Sequence, residues 1–295
     1  MATPEWFEWA LAQTPIANNC ISDGKRVEYL QWAPPMEPAS RTSRVAAAAA
    51  TAAAGAGAAA ACALHTSKRA QGIILVHGAM AHAHWWDHVG PHLAGGCSGL
   101  YFDVVAITHT GNGRSDQREA YTCDILAREI IAVGEAAGFY DLDREALPVV
   151  VGHSLGSYFS ERAVQMHPEK FSGLIIADGG IPHPVVWSDL GPDDPPPWRR
   201  PAGTKHRVYP PTTTPETRFR LSPPQTIRHP CIVDHIARQS IKQAPGAPAG
   251  HWLWAVDPDH SSKSDSFVML AHTVGTPAAV RTLQQQVHVA VIVGR

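Results

Sequence analysis

The 295-residue chain lacks an excess of charge of either sign, with 24 Lys and Arg against 26 Asp and Glu and a formal net charge of -2. No broad electrostatic pull toward nucleic acid or an anionic membrane follows. Neither a dense basic run nor a zinc-finger spacing is present, so no nucleic-acid partner is expected. Cysteine is scarce and scattered: Cys20, Cys62, Cys97, Cys123 and Cys231 form no pair at metal-site or redox spacing. An odd, dispersed set suits reduced thiols in a cytoplasmic protein better than a disulfide framework. The opening MATPEWFEWA lacks a basic n-region and is neither Arg-rich nor Ser-rich, so neither a signal nor a transit peptide fits. A strongly apolar run of spanning length is missing too. Val45 to Leu64, VAAAAATAAAGAGAAAACAL, is uncharged but consists of weakly partitioning alanine broken by Gly55 and Gly57. Arg41, Arg44, Lys68 and Arg69 bracket it, and a low-complexity insertion rather than a membrane span is expected.

What is there is 44% hydrophobic, on a chain long enough to bury a large α/β core. ISDGKRVEYLQW, from Ile21, reads as a hairpin around Asp23-Gly24. After the Pro/Ala-rich stretch, GIILVHG, FDVVAITH, LPVVVG and FSGLIIADGG read as short buried strands. Between them, Asp124 to Gly138 and LGSYFSERAVQMHPE carry helical patterns, and this alternation points to βαβ units around a mostly parallel sheet. From Ile181 to Pro224 the chain is dense in proline (DDPPPW, VYPPTTTP, SPPQ), which a sheet interior does not tolerate. That stretch reads as an inserted cap, continuing through HIARQSIKQ and HWLWAVDPDH as helix and then locally extended chain. SDSFVMLAHT and PAAVRTLQQQ suggest a helical pair, and VHVAVIVGR one more buried strand. The expected organisation is an N-terminal segment and hairpin (1–33), a low-complexity insertion (34–68), an α/β core (69–180), a cap (181–260) and a return to the core (261–295).

The stretch VVVGHSLGSYFS, Val149 to Ser160, carries the chemistry. A strand, the sharp turn Gly152-His153-Ser154-Leu155-Gly156 and a helix present a serine hydroxyl at the end of a sheet, and the glycines allow close backbone approach. A serine that merely caps a helix is the alternative. An oxyanion needs donors: the N–H of Leu155, at the start of the helix, and the N–H of Ala79, in the loop after an earlier strand. Met80, His153 and Trp187 are candidate substrate contacts. His77 is expected to be structural, with Gly78 letting its loop pass close to the site.

These residues carry a resemblance. VHGAMAHAHWWDHVGPHL, the TGNGRSD turn, VVVGHSLG and GLIIADGG resemble, in order and spacing, the α/β-hydrolase-fold serine hydrolases. RVYP, RFRLSPPQ, IVDHIARQS and HWLWAVDP are similar to cap stretches of esterase-like members. The likeness covers Ile21 to Arg295 without the insertion, and is specific for fold rather than substrate. Two positions depart from the pattern: Thr108 stands where an aspartate is usual and Asn112 where a histidine is, which predicts altered loop packing more than lost activity. The resemblance implies a triad acid just after VHVAVIVG and a histidine after one further strand. On that ground the final strand and helix, the acid and the base are expected to be missing, leaving an apolar sheet face exposed and the chain poorly soluble or self-associating.

Other histidines are weaker candidates for the base. His153 adjoins Ser154 but should point away, His288 lies in a strand, and His167, His251 and His272 belong to helices or cap. His260 in DPDHSSK is the least implausible. Asp178, after the strand that follows the nucleophile helix, is an alternative acid or a turn brace. His84 and His88 share a helical spacing that metals sometimes use, yet without a matching acid or thiol no metal is expected, and no cofactor. Trp85 and Trp86 should pack under the cap, whose Trp187, Trp198, Trp252 and Trp254 give it an apolar underside suited to an apolar ester. Three functions stay open: a carboxylic-ester hydrolase acting through Ser154, a hydrolase-like protein that binds without turnover, and a C–C bond hydrolase of the same fold.

Overall fold

The computed structural model describes residues 3–34, 69–95, 100–144, 146–179, 203, 205–221, 224–265, 270 and 274–293. The low-complexity insertion and most of the proline-dense stretch, with Trp187 and Trp198, lie outside the described residues.

The strands are β1 (Ile16–Ser22), β2 (Lys25–Trp32), β3 (Gly72–Val76), β4 (Asp103–Thr108), β5 (Val149–His153), β6 (Gly173–Ala177), β7 (Ile241–Gln243), β8 (Trp252–Trp254) and β9 (His288–Ile292). The helices, numbered in chain order, are α1 (Glu5–Ala12), α2 (Gly90–Ala94), α3 (Cys123–Ala136), α4 (Leu155–Met166), α5 (Pro215–Arg218), α6 (Pro230–Gln239), α7 (His260–Lys263) and α8 (Pro277–Gln284). Seven strands form one sheet in the order β1-β2-β4-β3-β5-β6-β9. β1 and β2 are the predicted hairpin, Asp23 and Gly24 both taking positive φ at its turn. β2 joins β4 antiparallel, and every pairing from β4 to β9 is parallel. β7 and β8 make a separate antiparallel pair within the segment between β6 and β9.

Because strand side chains alternate, β3 feeds two cores. Ile74 and Val76 join Val105, Ile107 and the α3 and α4 residues Leu126, Ile130, Phe159 and Val164 on one face. Ile73 and Leu75 join Leu30, Trp32, Val104 and Ala106 on the other. Covering on both faces explains why β3 and β4 are buried throughout, apolar but for Asp103 and Thr108 at the ends of β4. The helix read from Asp124 to Gly138 is observed as Cys123–Ala136, with Ile130, Ile131 and Val133 buried and Glu129 buried beside them, and Thr122 caps it by accepting from the Ile125 N–H.

Two readings need correction. VHVAVIV is a strand as expected but not a buried one: β9 ends the sheet, and Val291 and Ile292 are exposed because no described element covers them. His288 is likewise exposed. The opening residues, treated as a mere terminal segment, form α1, whose Phe7 and Ala10 are buried.

Candidate functional site

From β3 the chain passes to β4 on one side, while β5 lies on the other, so the crevice at the carboxyl ends of β3 and β5 is a topological switch point. Ser154 follows β5 there and His77 follows β3. Ser154 has φ 51° and ψ −123°, a conformation a side chain rarely takes, and its hydroxyl does not cap α4. Surrounding backbone holds the strain. The Ser154 N–H donates to Ala177 O at 2.9 Å and its carbonyl accepts from the Ser157 N–H at 3.0 Å. A Cβ on Gly156 would meet His77 O at 2.4 Å, and one on Gly179 would meet Ser154 O at 2.3 Å. Both glycines are therefore demanded by close approach around the serine.

A Cβ on Gly78 would lie 3.0 Å from the Ser154 Cβ, so the loop carrying Ala79 runs directly beside the serine. Leu155 opens α4, where the first N–H groups have no intrahelical acceptor. Met80 sits at the exposed tip of that loop with φ 53°. His77 is tied off. Its Nε2 accepts the His109 N–H at 3.1 Å, which leaves Nδ1 to donate to Gly78 O at 2.7 Å, and burial drives its pKa far down. The ring is neutral and fixes the loop, in line with the structural role expected for it.

Behind His109 stands a buried network unseen in the sequence. Glu129 on α3 takes His109 Nδ1 at 2.9 Å, the Thr110 hydroxyl at 2.6 Å and Arg118 Nε at 3.0 Å. Burial alone would raise the Glu129 pKa, but the bonds from His109 and Thr110 outweigh it and the net shift is downward. Thr108 accepts the Ala83 N–H at 3.1 Å and receives Ser115 Oγ on its carbonyl. Asn112 approaches His260 Nε2 at 3.4 Å. At both departures from the family pattern the loop is bonded in another way.

His153 lies beside the aromatic loop. Its ring meets that of Trp86 edge-on at 6.3 Å, and with Gly78, Trp85, Trp86 and His88 it lines a cavity of about 170 Å³. Burial lowers the His153 pKa against the pull of the Asp178 carboxylate. Asp178 itself is exposed, has φ 49° and donates its N–H to Ile292 O at 2.8 Å. His260 is far from open: it stacks on Tyr121 at 4.4 Å, bonds Ser264, and is held by burial at a pKa of about 4. Tyr121 and Lys263 both donate to the neighbouring Asp257. Among the described residues no imidazole is hydrogen-bonded to the Ser154 hydroxyl.

The aromatic wall continues away from the cavity. Trp85 faces Phe219 at 6.2 Å, Phe219 faces Trp254, Trp254 faces Trp252, and Trp252 stacks on Tyr209 at 4.3 Å. His84, whose spacing from His88 is one that metals sometimes use, donates to Asp87 at 2.9 Å, and His235 on α6 donates to the same oxygen at 2.7 Å. His82 bonds Ser240 at 2.8 Å. These contacts fasten α6 over the loop that carries the two tryptophans. Among the described residues no group of three His, Cys, Asp or Glu side chains could hold a metal ion, and no helix is long and apolar enough to cross a membrane. Trp187 lies outside the described residues.

A mostly parallel sheet with helices on both faces and a serine strained at its crevice is the arrangement of an α/β-hydrolase-type protein. The sequence profile of the alpha/beta hydrolase family matches residues 73–294, and the chain belongs to that family. No curated protein matches it. Among solved structures it is similar to a thioesterase domain from the curacin biosynthetic pathway, at 14% identity and a TM-score of 0.56, covering 95% of this chain and 93% of that one. It is also similar to epoxide hydrolase A from Mycobacterium thermoresistibile, at 18% identity and a TM-score of 0.38, covering 56% of this chain and 39% of that one. A third is an N-formylmaleamic acid deformylase from Pseudomonas putida S16, at 19% identity and a TM-score of 0.38, covering 59% and 53%. At these identities the likeness speaks for the fold alone; of these three, the thioesterase domain is matched over 93% of its length and the other two over 39% and 53%.

Proposed function

We propose that the protein is a serine hydrolase of carboxylic esters, with Ser154 as the nucleophile. The strained turn of Ser154 carries this reading, because a φ of 51° on a non-glycine residue is held only where surrounding backbone enforces it. In the attack, Ser154 Oγ adds to the ester carbonyl, and the N–H groups of Leu155 and Ala79 receive the developing oxyanion. Collapse expels the alcohol and leaves an acyl-serine, which water then releases as the acid.

The 170 Å³ cavity is close to the ~150 Å³ that encloses a benzene ring, so the group it receives is about one ring in size. Trp85 and Trp86 favour an apolar one. His153 and Met80 border the bound ester, and Asp178 acts on the site through the charge it places near His153. The described residues between 203 and 260 belong to a cap that meets the cavity wall from outside, through Phe219 against Trp85.

A second reading, a hydrolase-like protein that binds esters without turning them over, is favoured by the described residues, among which no imidazole is bonded to Ser154. Hydrolysis of p-nitrophenyl acetate and butyrate by the full chain and by Ser154→Ala separates the two. The ester-hydrolase reading expects turnover that falls on the order of a thousandfold or more in the variant. Equal rates in both proteins sink it, and saturable binding of the ester without any Ser154-dependent turnover establishes the second.

A further inference from the structure

Away from the Ser154 crevice, α1 and α6 fail to close on each other and leave a cavity of about 440 Å³ between them. That volume lies within the range of small-molecule sites. Its walls differ in balance, the charged side chains all standing on the α6 side together with Pro230 and Cys231, and Thr3 the one polar residue on the other. α1 and its cap residue contribute Pro4, Phe7 and Leu11, while the α6 side contributes Arg228, Asp234 and Arg238. Helices that simply pack would set apolar against apolar. An apolar wall facing a charged one across open space is matched instead by a guest that is apolar on one side and charged on the other.

The charges on the α6 wall are unequally engaged. Arg238 is paired with Glu216, and His235, which also lines the cavity, donates to Asp87. Arg228 has neither an ion pair nor a hydrogen bond among the described residues. It flanks the start of a 10-residue helix whose N-cap, His229, makes no side-chain capping bond. Pro230 brings no N–H and the Ile232 N–H is taken by His229 O, so it is the positive end of the helix dipole that reinforces the guanidinium there. Asp234 stands about one turn into the helix, so negative charge is welcome only at the Arg228 end.

We propose that the cavity between α1 and α6 is a second ligand site, taking a small carboxylate with an apolar body. The carboxylate lies on Arg228 at the head of α6 and the body on Phe7 and Leu11. Asp234 accepts from a hydroxyl or ammonium where the guest carries one. An occupant touches His235, and so the residue that ties α6 to the loop bearing Trp85 and Trp86.

Trp6, whose ring meets His229 edge-on at 5.7 Å, is a built-in reporter. The full chain is titrated with 3-phenylpropanoate, 3-phenylpropan-1-ol and 3-phenylpropylamine, followed by tryptophan fluorescence and calorimetry. Saturable binding of the carboxylate is expected, with the alcohol and the amine weaker by about tenfold or more, as the loss of a charge-assisted hydrogen bond gives. Arg228→Gln should lose about the same factor, Arg207→Gln none, and Leu11→Trp, which fills the apolar end, should bind nothing. Ser154→Ala should titrate like the parent, which separates this site from the esterase reading. Undiminished binding in Arg228→Gln, equal affinity for amine and carboxylate, or no saturable binding would each overturn the proposal.

Discussion

Glu161, two turns along α4 from Ser154, is fully buried with neither carboxyl oxygen hydrogen-bonded, and burial pushes its pKa up to about 8. In the unfolded chain the same group titrates near 4.5, so between those values the unfolded state sheds a proton that the folded state keeps. Stability therefore falls as pH rises from about 4.5 toward 8. Glu161→Met keeps the volume and removes the carboxyl. It should stabilise the protein by about 2–4 kcal/mol at pH 8 and by clearly less at pH 5, read from urea midpoints. A gain that does not change with pH, or a loss, contradicts the account. Glu161 was not legible in the sequence, where acids on a helix read as solvent-facing. Glu129 was equally hidden, because its partners His109 and Arg118 lie outside the helix that presents it. Ser154 was legible, since the glycines that enforce its turn sit within two residues of it. Its N–H acceptor on Ala177 and the approach of Gly179 belong to another strand and were not.

At the scale of elements, α6 is held down by contacts that span most of the chain. Asp87 receives His84 from its own loop and His235 from 148 residues away, and His82 reaches Ser240 across 158. Burial alone would raise the Asp87 pKa, yet the bonds from His235 and His84 hold it below the ordinary carboxylate range. Asp87→Ala leaves two half-buried imidazoles without their acceptor and should cost about 2–4 kcal/mol. Amide exchange in α6 should quicken more than in α3, which makes no contact with Asp87. Uniform quickening would mean that the carboxylate serves global stability and not the docking of α6. The sequence read a helix through HIARQSIKQ, but α6 runs Pro230–Gln239, starting earlier at Pro230, and Ile241–Gln243 pairs as strand β7 instead. It missed α1 because eight residues show hardly two helical turns, and it misjudged β9 because a short apolar run does not say which faces are covered.

For the whole molecule, the histidines set the acid limit. Burial holds His82 at a pKa of about 3 and His260 at about 4, both neutral in the fold, against 6.5 in the unfolded chain. Their contribution is fully present above about pH 6.5 and drains away as pH falls toward those lower values, by about 3 kcal/mol for His260 alone. Glu161 runs the other way over part of this range, so the cleanest measurement uses Glu161→Met. Its urea midpoint should be lower at pH 5 than at pH 7, and an unchanged midpoint would mean these imidazoles are not buried neutral.

The sheet order also sets a timetable. β6 ends at Ala177 and its neighbour β9 begins at His288, so about 110 residues must leave the ribosome between them. At translation rates of ~5–20 residues per second, that interval is on the order of ten seconds. Throughout it, Leu174, Ile175 and Ile176 stand on an open strand edge while β1 to β5 are already able to pair. Each nascent chain thus passes through a sticky adolescence, in which a neighbouring chain on the same message is a nearer partner for β6 than its own unborn strand.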